Sequence, residues 1–179
     1  MNTLEDVTGS RLLLAEYDRV KEEQKARIGF RDNLLYVTLA AMATTLIGAS
    51  QTHEAILLLI LPAAACVLGW TYLVNDEKIS AIGRYVRTDL GPRLGRLVGD
   101  QERVFEWETT HRLDARRKQR KILQCAIDLA TFCAAPLAAL VAFWLHAPTG
   151  PLSLTISIVE ALALALLGVQ ITLYAEIEP

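Results

Sequence analysis

Two acidic residues of this sequence lie inside otherwise apolar stretches. Asp128 falls about two turns into one stretch, and Glu160 falls about two turns into the next. An ionisable group at such a position costs about 2.5–3.5 kcal/mol on insertion into a bilayer, so it normally faces protein or water and marks a function. For Glu160, three interpretations stay open: a protonated acid hydrogen-bonded between helices, a pore-lining carboxylate that favours cations, and a proton-relay group.

The remaining chemically capable residues are few. Two short connections between apolar stretches carry His53 with Glu54 and, separately, His146, which could meet to bind a metal or sense pH. Each of the three cysteines lies inside an apolar stretch, which is typical of small apolar side chains: Cys66, Cys125 and Cys133. No Cys/His spacing typical of zinc sites and no catalytic constellation is present. We therefore predict no enzymatic activity, no cofactor and no bound metal.

Four apolar segments must position these residues. They are Leu34–Ser50, Ala55–Val74, Ile122–Leu145 and Leu152–Ala175. A helix of about 20 apolar residues crosses about 30 Å of hydrocarbon, so each segment approaches or meets the length of a membrane span. The composition agrees, because 53% hydrophobic residues and a mean hydropathy of +0.30 are high for a chain with 21% charged residues.

The basic residues are confined to two blocks. All 18 Lys and Arg fall within 11–31 and 78–121. Because basic flanks of membrane helices stay in the cytoplasm, both blocks should lie inside and each pair of apolar segments should form a hairpin. The sequence thus predicts an all-α integral membrane protein of the inner (cytoplasmic) membrane, with four transmembrane helices in two hairpins, a cytoplasmic helical stack and both termini cytoplasmic. The sequence has no long basic tail of the kind that would indicate a nucleic-acid partner.

The predicted organisation has five parts. Residues 1–33 form a cytoplasmic amphipathic helix, 34–74 the first hairpin, 75–121 a cytoplasmic helical segment, 122–175 the second hairpin and 176–179 a cytoplasmic tail. The apolar stripe of the first helix needs a partner: the central segment of the same chain, a neighbouring subunit or the membrane surface. We expect Gly91 and Pro92 to break the central segment and to reverse its direction, because proline lacks an amide proton.

Two further sets of residues are candidates for function. A basic collar precedes the third apolar segment and could attract anionic lipid headgroups or simply fix the topology: Arg112, Arg116, Arg117, Lys118, Arg120 and Lys121. Asp128 is shallow enough to reach this collar. Pro62 and Pro136 lie within the second and third segments, where a missing amide hydrogen bond can kink a helix, so they are candidate hinges.

The layout resembles a family of small multi-helix membrane effector modules predicted in bacterial conflict and anti-phage systems, called SLATT. The features that carry the resemblance are the amphipathic helix Leu12–Ile28, its continuation through Gly29–Asn33 into a tight membrane hairpin, and the following cytoplasmic helix Ile79–Arg87. The resemblance covers roughly the first half of the chain, and the second hairpin departs from the two-span plan of the family. It implies an oligomerising pore-former or membrane disruptor controlled by a cytoplasmic sensor.

Two functions are therefore open. The first is a homo-oligomeric channel or membrane-permeabilising effector, without chemistry, that is controlled through its cytoplasmic helices. The alternative is a non-conducting membrane anchor or scaffold whose helices recruit a cytoplasmic signalling protein or regulator. In both cases the expected partners are the lipid bilayer and, for the channel, further copies of the same chain.

Overall fold

The fold is given by a computed structural model that describes residues 3–98, 116–146 and 150–175. The chain divides into two compact units. The charged unit comprises Met1–Phe30 and Asn75–Arg117, and the apolar unit comprises Arg31–Val74 and Lys118–Pro179. Since both predicted basic blocks lie almost entirely in the first and all four apolar segments in the second, the division follows the segregation of charge along the sequence.

The described residues are helical almost throughout. The α-helices are α1 (Thr3–Thr52), α2 (Ile60–Tyr85), α3 (Gly91–Val98), α4 (Arg117–Leu129), α5 (Ala135–His146) and α6 (Pro151–Tyr174). A 3₁₀ turn, Ala55–Leu59, precedes α2, and π-helical turns occupy Val86–Leu90 and Ala130–Ala134. The predicted all-α class is confirmed.

Four helical stretches are long and apolar enough to cross a membrane: Thr8–Thr52, Ala55–Leu97, Lys118–His146 and Pro151–Tyr174. The first three contain a predicted apolar segment in full, and the fourth contains its segment except for the last residue, Ala175. Large side chains on their surfaces are widely exposed. A surface of this kind is stable only in hydrocarbon or against another apolar surface. The chain therefore has the properties of a multi-pass membrane protein.

The predicted reversal at Gly91 and Pro92 is wrong. Gly91 has right-handed helical dihedrals, and the chain stays helical from the π turn Val86–Leu90 into α3. A proline ring clashes with the carbonyl four residues earlier in a regular α-helix, and a wider turn relieves that conflict. The same arrangement recurs at Pro136, the second residue of α5, directly after the π turn Ala130–Ala134.

The charged unit is held by one apolar cluster. Its buried members are Val86, Leu90 and Leu94, and Leu13, Tyr17, Val20 and Tyr85 pack against them. The N-terminal stripe is thus covered by the central segment of the same chain, which is one of the three partners considered from the sequence. Gln24 extends the contact, since its side-chain amide donates to the Ile79 carbonyl at 3.3 Å.

The apolar unit contains two buried clusters. The first comprises Leu34, Tyr72, Leu73, Cys125, Phe132, Leu167 and Ile171, and the second comprises Leu58, Leu59, Leu61, Ala139, Leu140 and Phe143. Close approach of helices in the first depends on Gly69, where an added Cβ would lie 2.8 Å from Leu167 Cδ2 and 3.1 Å from Phe132 Cβ. Small residues at such contacts let membrane helices pack tightly.

Candidate functional site inside the apolar unit

Glu160 lies on the buried face of α6. The buried residues of this helix are Ser157, Glu160, Leu164, Leu167 and Ile171, which recur at intervals of three and four and therefore share one face. Glu160 is the tenth residue of α6, about 14 Å along the axis at 1.5 Å per residue. The carboxyl group therefore lies in the helix packing, near the middle of a helix that is long and apolar enough to cross a membrane.

Each polar side chain of this face has a buried oxygen atom without a hydrogen-bond partner among the described residues. Glu160 is 8% exposed and Ser157 is 4% exposed, and neither Glu160 Oε2 nor Ser157 Oγ has a hydrogen-bond partner among the described residues. A buried polar atom left unpaired costs about 1–3 kcal/mol. Since the two residues are one turn apart, the two oxygen atoms without hydrogen bonds form one polar patch on the buried face of the helix. Such a patch requires an explanation beyond packing.

Two cysteines, Cys66 and Cys133, lie near Glu160 and its helix. The Cys66 thiol of the second span interacts electrostatically with Glu160, and Cys133 of the π turn interacts in the same way with Cys66. Cys133 Sγ also lies 3.7 Å from the carbonyl oxygen of Leu164, one turn beyond Glu160. All three cysteines are free thiols. Cys66 of α2 is therefore near Glu160, and the π turn before α5 contacts α6 one turn further along.

Asp128 occupies a different environment. It is 8% exposed and close to Cys125 on α4, and unlike Glu160 Oε2 it has an interaction partner. The two membrane acids predicted from the sequence are thus both buried, but they are separate sites and only Glu160 carries an unsatisfied oxygen. We therefore centre the candidate site on Glu160 and Ser157.

Two buried polar residues were not predicted as candidates from the sequence: Thr38 and Asn75. The Thr38 hydroxyl donates to the Leu34 carbonyl at 2.8 Å, so its burial is satisfied within its own helix. Asn75 belongs to the charged unit. A threonine or asparagine near the end of an apolar segment is a weak sequence signal, because the same residues also occur at exposed span ends.

The two candidate hinges are both fully buried. Pro62 is the third residue of α2, in the first turn after the 3₁₀ segment, where a proline removes little hydrogen bonding. Pro136 follows the π turn Ala130–Ala134. Both prolines therefore mark a change of helix type, and their role as hinges stays a prediction.

The basic collar is only partly covered by the structure. Arg116, Lys118 and Arg120 are exposed and Lys121 is half-buried at the start of α4. Arg112 and the side chain of Arg117 lie outside the described residues, as do the predicted tail 176–179 and most of the segment between α3 and α4. Basic groups near the end of an apolar helix attract anionic headgroups, and binding of lipid by the collar stays a prediction.

The two short connections of the apolar unit come together. His53, Glu54 and His146 line one cavity of about 410 Å³. Within residues 3–98, 116–146 and 150–175, however, no group of three or more His, Cys, Asp or Glu side chains is arranged to hold a metal ion.

Comparison with known proteins adds no family. No protein-family model matches the chain, and no curated protein or solved structure matches it either.

Proposed function

We propose that this protein is a homo-oligomeric channel or membrane-permeabilising effector of the bacterial cytoplasmic membrane, with both termini inside. The observation that carries the proposal is the pair formed by Glu160 and Ser157. An acid and a hydroxyl are buried one turn apart on a membrane-length helix, and Glu160 Oε2 and Ser157 Oγ have no hydrogen-bond partner among the described residues. Ionisable residues kept at such a cost typically belong to ion or proton pathways.

Control through the charged unit is supported by helix continuity. Helix α1 runs without interruption from Thr3 to Thr52, and the second helical stretch runs from Ala55 to Leu97. Each therefore belongs partly to the charged unit and partly to the apolar unit. A signal that shifts the packing of Leu13 and Tyr17 against Leu90 acts on helices that are themselves membrane spans.

Assembly of several copies is supported by the exposure of the first span. Only 11% of its most apolar window is buried within the chain, compared with 44% for the second span. Its exposed side chains include Tyr36, Val37, Leu39, Leu46 and Ile47. This face is available to lipid or to another copy of the chain, and the small residues Ala40 and Ala43 between its large ones favour close helix contact.

The direct test is ion flux in liposomes of defined composition. The purified protein should dissipate an imposed proton or potassium gradient, and Glu160→Gln should change the rate at least tenfold. Asp18→Asn, which removes an exposed carboxylate of the charged unit, is the matched control and should leave the rate unchanged. Equal flux for Glu160→Gln and the parent protein would exclude a conducting role for this carboxyl group.

Particle mass in nanodiscs tests the oligomer independently. A symmetric tetramer or larger ring agrees with the proposal, because four spans of one chain enclose little aqueous volume. A monomer or simple dimer argues against a ring.

The alternative function, a non-conducting scaffold, is favoured by a different observation. Leu12 is 67% exposed and Leu14 is 47% exposed on the charged unit, on either side of the packed Leu13. Exposed leucines on an amphipathic helix are typical of a surface that binds a protein partner. Two results together would favour the scaffold over the channel. The protein would cause no ion flux in liposomes, and it would capture a soluble partner only when Leu12 is present.

A further inference from the structure

The cavity between the two short connections has the chemistry of a ligand site, and it is separate from Glu160. Its volume of about 410 Å³ falls within the range of about 300–1,000 Å³ typical of small-molecule pockets. The rim carries His53, Glu54 and His146, and the walls include Leu59, Phe143 and Ile156. A few polar groups above an apolar interior fit a ligand with one polar end and an apolar body.

The rim is held in place by backbone and side-chain hydrogen bonds. The Thr52 hydroxyl accepts from the Glu54 amide at 3.3 Å and donates to the Gly48 carbonyl at 2.8 Å. The Glu54 carbonyl in turn accepts from the Leu57 amide at 3.2 Å. His53 has a φ of 57°, a left-handed conformation that costs about 1–2 kcal/mol for a residue other than glycine. Strain of this kind tends to persist where a side chain must be placed for function.

His146 and Ser153 form hydrogen bonds on the opposite side of the rim. His146 Nδ1 lies 2.8 Å from the Ala142 carbonyl, which can only accept, so Nδ1 carries a proton and donates to this carbonyl. Ser153 then closes the second connection, because its hydroxyl accepts from the Gly150 amide and donates to the Gly150 carbonyl, both at 2.9 Å.

The charge at the rim determines the class of ligand. Glu54 carries the one carboxylate among the described residues that line the cavity, so the rim offers an anionic group to a cation. Phe143, which is 1% exposed, contributes to the apolar lining. We propose that this cavity binds an amphipathic organic ammonium ion, with the charged nitrogen at Glu54 and the apolar body against Leu59, Phe143 and Ile156.

The test uses benzyltrimethylammonium as the probe and phenylacetate as a comparator of similar body and opposite charge. The full chain is studied in a nonionic maltoside detergent by isothermal titration calorimetry. We expect saturable binding of one benzyltrimethylammonium per chain and at least tenfold weaker binding of phenylacetate. Glu54→Gln should weaken probe binding at least tenfold, whereas Asp18→Asn, an exposed acid of the charged unit, should leave it unchanged. Ile156→Trp should block the cavity without altering the charge of the rim.

Several results would overturn the proposal. They are an absence of saturable binding, equal affinity for phenylacetate, and an affinity unaffected by both Glu54→Gln and Ile156→Trp. Native mass spectrometry then separates the sources of the ammonium group. Retention of phosphatidylethanolamine, displaced by the probe and lost in Glu54→Gln, identifies a lipid headgroup. Probe binding to a lipid-free chain identifies a free amphiphile, and retention of phosphatidylglycerol in its place contradicts a cationic ligand.

Discussion

Asn75 and Arg27 exchange hydrogen bonds across the charged unit. The Asn75 Nδ2 amide donates to the Arg27 carbonyl at 2.6 Å, and Arg27 Nη1 donates to Asn75 Oδ1 at 3.4 Å. Arg27 is also paired with Glu23, whose carboxylate accepts from Arg27 Nε at 2.8 Å. Asn75 is 5% exposed, so both its donor and its acceptor need the partners that Arg27 supplies. The exchange sets α1 and α2 in register at one defined level.

Asn75→Ala should lower the free energy of unfolding by about 1–3 kcal/mol, because the Arg27 carbonyl and guanidinium both lose a buried partner. Asn33→Ala, at an exposed position of α1, is the control and should change stability by less than about 0.5 kcal/mol. Thermal unfolding in detergent, followed by circular dichroism, measures both. Equal melting temperatures for the two variants would show that the exchange contributes no stability.

Tyr85→Phe should remove a second hydrogen bond of the charged unit, and the resulting loss in free energy of unfolding should depend on pH. The Tyr85 hydroxyl donates to Glu16, and this bond, followed by burial and the nearby carboxylate charge, raises the pKa of the phenol above its ordinary value of 10.0. A phenol whose pKa is higher in the folded than in the unfolded chain contributes its full stabilisation at pH values below the unfolded pKa. That contribution is lost as pH rises through the raised pKa.

The free energy of unfolding of the parent protein should therefore exceed that of Tyr85→Phe by about 1 kcal/mol near pH 8. The difference should disappear at strongly alkaline pH. Chemical unfolding at a series of pH values measures it. Tyr36→Phe, at an exposed position of the first span, is the matched control. A difference that is constant with pH would contradict the assignment of the hydrogen bond to the phenol proton.

Gly69→Ala should destabilise the apolar unit by about 1–3 kcal/mol, because the added methyl group overlaps Leu167 and the rigid Cβ of Phe132. Gly29→Ala is the counterpart, since nothing lies within 4 Å of its Cβ position and alanine is the better helix former by about 1 kcal/mol. The two variants should shift the melting temperature in opposite directions. A stabilising Gly69→Ala would mean that α2 and α6 are less tightly packed than the structure indicates.

Ser157→Ala should leave stability unchanged or raise it by up to about 1 kcal/mol, because its buried hydroxyl has no partner to lose. Ser153→Ala, in the same helix, should lower stability by about 1 kcal/mol, since its hydroxyl caps the first turn of α6 through Gly150. If Ser157→Ala also reduces ion flux, the serine is retained for function at the expense of stability. A destabilised Ser157→Ala would instead reveal a partner in the native membrane.

Much of the architecture was predictable because hydropathy and charge act over whole segments. About 20 consecutive apolar residues determine a span wherever they pack, and Lys and Arg are excluded from hydrocarbon at any position within it. The stripe at Leu13, Tyr17 and Val20 was likewise predictable from spacing, because residues three and four apart share a helix face. The sequence alone therefore determined the helical class, the four candidate spans and the residues that could form their polar interior.

Other features depended on atoms distant in the chain. The sequence placed Glu160 in a span, but only the packing of α6 decided that the side chain is buried and that Oε2 lacks a hydrogen-bond partner among the described residues. The Gly91–Pro92 pair predicted a reversal, yet a π turn accommodates the proline ring and the helix continues. His146 follows the adjacent pair His53 and Glu54 by about 90 residues, and the three line one cavity only because the helix ends meet. Spacing along one helix cannot specify such contacts, because they depend on how separate helices are rotated and offset against one another.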